Sequence, residues 1–549
     1  MEKARSTNSF VRQAAILAAV GIAARLLGFL YRIPLTDLIG DEGNAIYGIG
    51  YTVYNFFLVV SAAGLPAAIS KLVSEKRAMG RHDIAHKIFL VALALAASLG
   101  VFFTAIIFLF SEQITTMLRM PGASLALQML APTVFVFAIM ATIRGYFQGM
   151  SSTVPTALSQ LVEQIFNAVF SIVLAHAMWN FAVQHGHTDV IYGAAGGTLG
   201  TTVGAVAGFI VISGLYFLAR PDFIRRINAA KRRAKTRRDD LDNEKNARIV
   251  KSIFITSSTI IAGTAIFSIV NIIDNWLVLD RLPHAGFEGI RASELLGQIT
   301  GKFNPITNLP AAISSSLALV LIPTIAAAKQ LGKRREMRSN INAAFRAAML
   351  LTIPIAFGLA VLGQQIVPLL FPNHPEGGTL FLVGFPSVIF LSFSQISTGV
   401  LQAINRISIP IIAALIGAVV KIVVGFFLIS HPAINIYGAI IGTTLCYLVA
   451  AWINLYFLRK HTGVRLDFMG MLIKPIIAST AMAMMCFTIY HLIFGFLPSN
   501  TVATISSIFV GMIVYGAFMS LIKGFKEEDL HILPKGQLIA ASLKSRGII

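Results

Sequence analysis

Negative charge is scarce in this chain. Its 549 residues hold 24 aspartates and glutamates against 44 lysines and arginines, a net charge of +20. All charged residues together make up only 12%, about half the share of roughly 25% typical of a soluble protein. Cysteine is scarcer still. Cys446 and Cys486 both fall inside apolar runs, where they read as small core residues, so no disulfide framework follows. Nor is there a Walker-type phosphate loop, a Cys/His cluster at metal-ligand spacing, or a Ser/His/Asp arrangement. These absences argue against a nucleotide-driven pump, and no cofactor or metal is expected. Any transport must then draw on a gradient, the membrane potential or the substrate's own gradient.

Apolar residues fill the space that charge leaves, at 56% of the chain. They come in continuous runs of about 20 residues, the length a helix needs to cross hydrocarbon. Continuous rather than alternating runs point to helices, not to a barrel. The runs give spans near 13–37, 45–73, 87–110, 125–149, 155–179 and 192–218. After a basic linker come 252–279, 303–328, 344–370, 379–404, 409–430 and 436–458, then a final pair at 471–494 and 500–522. Lys3, Arg5 and Arg12 precede the first run as in a signal peptide, but Arg25 and Arg32 inside it favour a retained helix.

Lysine and arginine in short loops set the orientation of such a chain. With the N-terminus cytoplasmic, Arg119, Arg281, Arg291 and Lys302 are the outer basic residues, Arg25, Arg32 and Lys421 lie within spans, and the inner segments hold the other 37 of 44. That alternation supports an even count with both ends inside. Segment 219–251, with Arg225, Arg226, Lys231, Arg232, Arg233, Lys235, Arg237 and Arg238 before Asp239, Asp240 and Asp242, reads as a cytoplasmic linker touching anionic headgroups. It lacks the aromatic interleaving and fold of a nucleic-acid site, so no nucleic acid is expected as a partner.

The two halves repeat each other. Leu65-Pro66-Ala67-Ala68-Ile69-Ser70 returns as Leu309-Pro310-Ala311-Ala312-Ile313-Ser314. Pro132, Gly145 and Gln148 return as Pro386, Gly399 and Gln402, Pro155 as Pro410, and Tyr192-Gly193-Ala194 as Tyr437-Gly438-Ala439. Six spans per repeat make the halves parallel, as in transporters that rock one half against the other. The plan is an all-α integral membrane protein with an N-lobe (1–218), a linker (219–251), a C-lobe (252–458), a helix pair (459–522) and a cytoplasmic tail (523–549).

A charge at the bilayer centre costs roughly 2.5–3.5 kcal/mol on insertion scales, so those within spans mark candidate sites. They are Arg25, Arg32, Glu163, Asp274 and Lys421, with Lys302 at the mouth of span eight. Arg25 and Arg32 are seven residues apart, about 10 Å along one helix face, a spacing suited to a multivalent anion such as a pyrophosphate. Glu163 opens a polar stripe with Gln164 and Asn167, either to neutralise one of those arginines or as an internal salt bridge. Glu163 with the arginines, and Asp274 with Lys421, are expected to pair within their own halves.

Arg25-Leu26-Leu27-Gly28-Phe29 with Arg32, Tyr47-Gly48-Ile49-Gly50-Tyr51, Gly64 through Val73, and Gly301-Lys302-Phe303-Asn304-Pro305 resemble the polysaccharide-transporter branch of the MOP superfamily, in particular the SpoVB/YtgP group related to MurJ-type lipid II flippases. The resemblance implies a V-shaped pair of six-helix lobes around a cationic cavity, with spans thirteen and fourteen forming a groove for a lipid tail. It implies that Arg25, Arg32 and, in span eight, Lys302 receive the diphosphate, and that Lys421 stands where some relatives bind sodium. The expected activity is flipping of an undecaprenyl-pyrophosphate-linked sugar precursor, foremost lipid II, across the bacterial plasma membrane. The chain is expected to be a monomer among membrane lipids and cell-wall synthesis proteins. Competing readings are a flippase for another lipid-linked oligosaccharide, a MATE-like multidrug exporter, which favours an acidic cavity, and a membrane glycosyltransferase using Asp280, Glu288 and Glu294 of segment 280–302.

Overall fold

The computed structural model describes residues 20–21, 23–187, 190–236 and 246–525. Lys3, Arg5, Arg12, the start of span 13–37, the Arg237–Asp242 end of the linker and most of the tail lie outside them. Among the described residues there is no strand, and eleven helices are long and apolar enough to cross a membrane. In lipid the helix satisfies every backbone hydrogen bond internally, and this is a multi-pass membrane protein.

The chain divides into two compact units, Met1–Leu279 and Asp280–Ile549. The first holds α1 (Arg32–Leu58), α2 (Leu65–Ala78), α3 (His82–Met117), α4 (Ser124–Gly149), α5 (Val154–Gln184), α6 (Val190–Thr236) and α7 (Asn246–Arg281). Its packed interior is aromatic: Phe89 stacks on Tyr146 at 4.5 Å, and Phe223 meets Tyr146 edge-on at 5.2 Å. α7 joins this unit through small contacts. Asn275 donates to the Thr52 hydroxyl at 3.1 Å, and a Cβ on Gly64 would sit 2.8 Å from that of Ser257.

The second unit holds the short α8 (Ile290–Gly297), α9 (Asn304–Gln330), α10 (Arg334–Leu370), α11 (Thr379–Ala403), α12 (Ser408–Ile429), α13 (Tyr437–Thr462), α14 (Lys474–Phe496) and α15 (Asn500–Leu521). Phe345 on α10 packs against Phe393 on α11 at 4.7 Å. α14 and α15 dock on α10 through Leu362, Met482, Cys486, Tyr490 and Ala503. Asn500 ties the pair down, accepting from the Tyr490 hydroxyl at 3.1 Å and donating to the Gln365 carbonyl at 3.0 Å. Cys486 donates to the Ser507 carbonyl, the packing role its apolar setting suggested.

Breaks in the helices follow from glycine and proline. Gly40, at φ 69° and ψ −174°, interrupts α1 in a region only glycine enters freely, at the gap between the first two expected spans. Pro66, Pro305 and Pro475 each stand in the first turn of a helix. Each follows closely on a π-helical segment, Val59–Ala63, Gln298–Phe303 and Met469–Ile473. Proline lacks an N–H and clashes with the preceding turn, and a widened i→i−5 turn absorbs the mismatch.

Glycines of the sequence motifs permit close helix contacts. A Cβ on Gly145 would lie 2.9 Å from Pro66 Cα, so Gly145 on α4 lets the Leu65–Ser70 motif of α2 approach its backbone. Gly193 on α6 faces the Trp179 ring of α5, and Gly438 on α13 faces the backbone of Leu428 and Ile429 on α12. The expected spans 252–279 and 303–328 fall in α7 and α9, which are not among the eleven helices counted above.

Candidate functional site

Arg32 opens α1, just beyond Tyr31. Its guanidinium lies 4.2 Å above the centre of the Tyr47 ring. Tyr47 is fully buried, its hydroxyl 3.2 Å from that of Tyr31, and its ring stacks on Tyr51 at 6.0 Å. Tyr47 and Tyr51 share a face because residues four apart in a helix are neighbours, and Tyr54 extends the row at 5.6 Å from Tyr51. Arg32 Nη1 is buried and has no acceptor.

Magnitudes say what this arrangement lacks. A desolvated cation–π contact contributes about 2 kcal/mol, while a central membrane charge costs roughly 2.5–3.5 kcal/mol and more without water defects. The ring offsets only part of the cost. Tyr31 also hydrogen-bonds the Arg32 side chain, and for the buried Nη1 a charged oxygen is the strongest kind of acceptor.

Arg25 stands on the helical stretch 23–30 and is exposed. Glu163 does not turn to either arginine. It takes a 2.8 Å salt bridge from Arg144 Nη2, while Arg144 Nε donates to the Ser159 hydroxyl at 2.9 Å. The expected pairing of Glu163 with Arg25 or Arg32 is therefore corrected, since α4 packs on α5 and brings a buried guanidinium to it first. Arg144 was not among the candidate charges, because near the end of span 125–149 it reads as one more positive charge of the inner boundary. The polar stripe divides too: Asn167 accepts from Ser171 at 2.9 Å and from Thr201 of α6 at 3.2 Å.

Lys302 is also placed differently from a substrate contact. It is completely buried in the π segment before α9 and donates to the carbonyls of His374 at 2.8 Å and Glu376 at 3.0 Å. A buried ammonium needs such acceptors, and here it clamps the turn between α10 and α11 instead of facing open space. Lys421 is nearly buried on α12, where Gly442 of α13 leaves room for its stem. Asp274 is half-buried on α7, in the first unit, whereas Lys421 belongs to the second. Among the described residues no three His, Cys, Asp or Glu side chains gather as a metal site.

The polysaccharide biosynthesis protein family model matches residues 10–329, and that of the lipid II flippase MurJ matches residues 302–374. The chain is 25% identical over 474 residues to the lipid II flippase MurJ of Bacillus subtilis, covering 83% of this chain and 84% of that protein. It is 25% identical over 535 residues to stage V sporulation protein B of the same organism, covering 96% and 98%. Among solved structures, the inward closed conformation of the lipid II flippase MurJ aligns with a TM-score of 0.65 at 15% identity, over 92% of this chain and 98% of that one.

Proposed function

Because the chain belongs to the polysaccharide biosynthesis protein family, we propose that it is a flippase, not an enzyme, for an undecaprenyl-pyrophosphate-linked sugar precursor, with lipid II foremost. The observation that carries this reading is Arg32, a cation seated on Tyr47 with a buried N–H that no residue fills. A diphosphate would complete it. Arg25, exposed on the helical stretch just before α1, would meet the diphosphate first from solvent. Glu163, which could have neutralised Arg32, is held by Arg144, and two arginines give the site a cationic character. That polarity disfavours the cationic drugs of a MATE-type exporter. Alternating exposure of this site to the two leaflets, across fourteen spans with both termini cytoplasmic, is the mechanism proposed, in the bacterial plasma membrane.

Cells depending on this chain test the reading. Arg32→Ala is expected to abolish growth while the protein still reaches the membrane, and Arg25→Ala to weaken it. Normal growth with Arg32→Ala would overturn the anion site. Depletion should raise lipid II on the inner leaflet. Accumulation of a different lipid-linked oligosaccharide instead would keep the flippase and change its cargo.

A further inference from the structure

The second unit carries a groove unrelated to Arg25 and Arg32. It encloses about 890 Å³ between α11, α13 and the segment leading into α14. Phe390, Phe393, Trp452, Leu455 and Phe468 form its apolar length, and Arg459 and Lys460 stand at one end. Arg459 rests on the Phe468 ring at 5.1 Å and Lys460 on Phe457 at 6.0 Å. Both side chains are exposed, and no acidic residue pairs with either among the described residues. Burial and then the charges of Arg406, Lys460 and Lys329 push the His461 pKa down, so these basic groups lie within reach of His461. Trp452 is 73% exposed beside them, so the wall of the groove is open to whatever surrounds the helices.

We propose that this groove is a binding site for an anionic phospholipid of the cytoplasmic leaflet, distinct from the transported cargo. One acyl chain lies along the aromatic wall, and the phosphate is held by Arg459 and Lys460. Charge complementarity selects the occupant. An apolar channel closed at one end by two cations without acids fits a molecule with a long apolar tail and an anionic head. A partner helix would satisfy the channel but leave the cations facing its polar end. Trp452 lies seven residues before Arg459, about 10 Å down the axis at 1.5 Å per residue, the depth of mid-chain carbons below a phosphate gripped there. On the topology proposed above, the Arg459 end of α13 is the cytoplasmic end, where anionic lipid attracts basic residues.

Trp452 supplies the test, as one of only three tryptophans in the chain. With Trp179 and Trp276 replaced by Phe, the full chain is placed in vesicles containing phosphatidylglycerol or phosphatidylcholine brominated at mid-chain. Brominated phosphatidylglycerol is expected to quench Trp452 at far lower mole fraction than brominated phosphatidylcholine. R459Q/K460Q should lose about thirty-fold of that preference, at roughly fivefold for each cation near the headgroups, while R459K/K460R keeps it. Native mass spectrometry of the delipidated, unsubstituted protein with added phosphatidylglycerol gives the same comparison free of the Trp replacements. Equal quenching by both lipids, no quenching by either, or a preference indifferent to R459Q/K460Q overturns the proposal. None of these outcomes touches the flippase reading, which rests on Arg32.

Discussion

A guanidinium buried among helices needs a replacement for water, and Arg32 and Arg144 receive different ones. Arg144 has a carboxylate and a hydroxyl; Arg32 has an aromatic face and a buried N–H without an acceptor. The first is a structural solution, the second an incomplete one. Removing one member of a buried pair strands the other charge, at a cost of about 3–5 kcal/mol. Glu163 keeps 16% of its side chain exposed, so Glu163→Gln is expected to fall at or below the lower end of that range, seen as a lower melting temperature in detergent. Replacing both partners with apolar residues of similar size should recover most of the loss. If the single and double variants melt alike, Arg144 has another partner of equal weight. At Arg32, lysine keeps the charge but not the planar group that stacks on Tyr47. Arg32→Lys should therefore support growth at a level between the parent and Arg32→Ala in the same complementation assay. Neither pairing was legible from the chain alone. The sequence put Glu163 within a long apolar run, but its partner depended on how α4 packs on α5, which no local pattern encodes.

Between elements, the close contact of α5 with α6 rests on a row of glycines. Gly196, Gly200, Gly204 and Gly208 stand four residues apart, one above another on a helix face. Each faces α5 directly: Gly196 the Leu174 carbonyl, Gly200 the backbone of Ser171, Gly204 the Glu163 carbonyl and Gly208 the Ser159 carbonyl. Small residues at such spacing let membrane helices approach to backbone contact, where packing rather than the hydrophobic effect holds them. The row also fixes the height of Glu163 beside Arg144. Gly200→Leu is expected to separate the two helices and to yield aggregated or degraded protein, read by size-exclusion chromatography after membrane extraction. Gly214, on the same helix, would present a Cβ to open space, so Gly214→Leu should remain monodisperse. Equal behaviour of the two variants would remove the stripe's role. The spacing of four was visible in the sequence, but which helix it faced was not. The prolines behaved similarly. Proline positions can be read from the chain, while the π segments that absorb Pro66, Pro305 and Pro475 appear only when the neighbouring turns are seen.

For the whole molecule, apolar length and basic-residue alternation made the membrane class legible because lipid imposes both locally. The number of crossings depends on every run counting as one. Arg32–Ala78 is a single apolar stretch that holds the end of the first expected span and the second, and α7 and α9 are two further runs on which the proposed fourteen turns. Three positions decide the last two. In a chain with Cys446 and Cys486 replaced by Ser, single cysteines at His187, Glu288 and Lys333 lie after span five, after span seven and after span eight. With both α7 and α9 crossing, a membrane-impermeant maleimide applied to intact cells should label positions 187 and 288 and spare 333. If neither crossed, 187 would be labelled while 288 and 333 were both protected. If α7 alone failed, 288 would be protected and 333 labelled; if α9 alone failed, all three would be labelled. The first pattern keeps Arg334, Arg335 and Arg338 on the cytoplasmic side with the 219–251 linker, where the positive-inside rule puts clustered arginine, as would the absence of both crossings, from which the labelling of 288 separates it. It also puts Arg459 and Lys460 on that side, provided spans nine to twelve cross as drawn, so the same labelling bears on the leaflet from which the aromatic groove would draw its lipid.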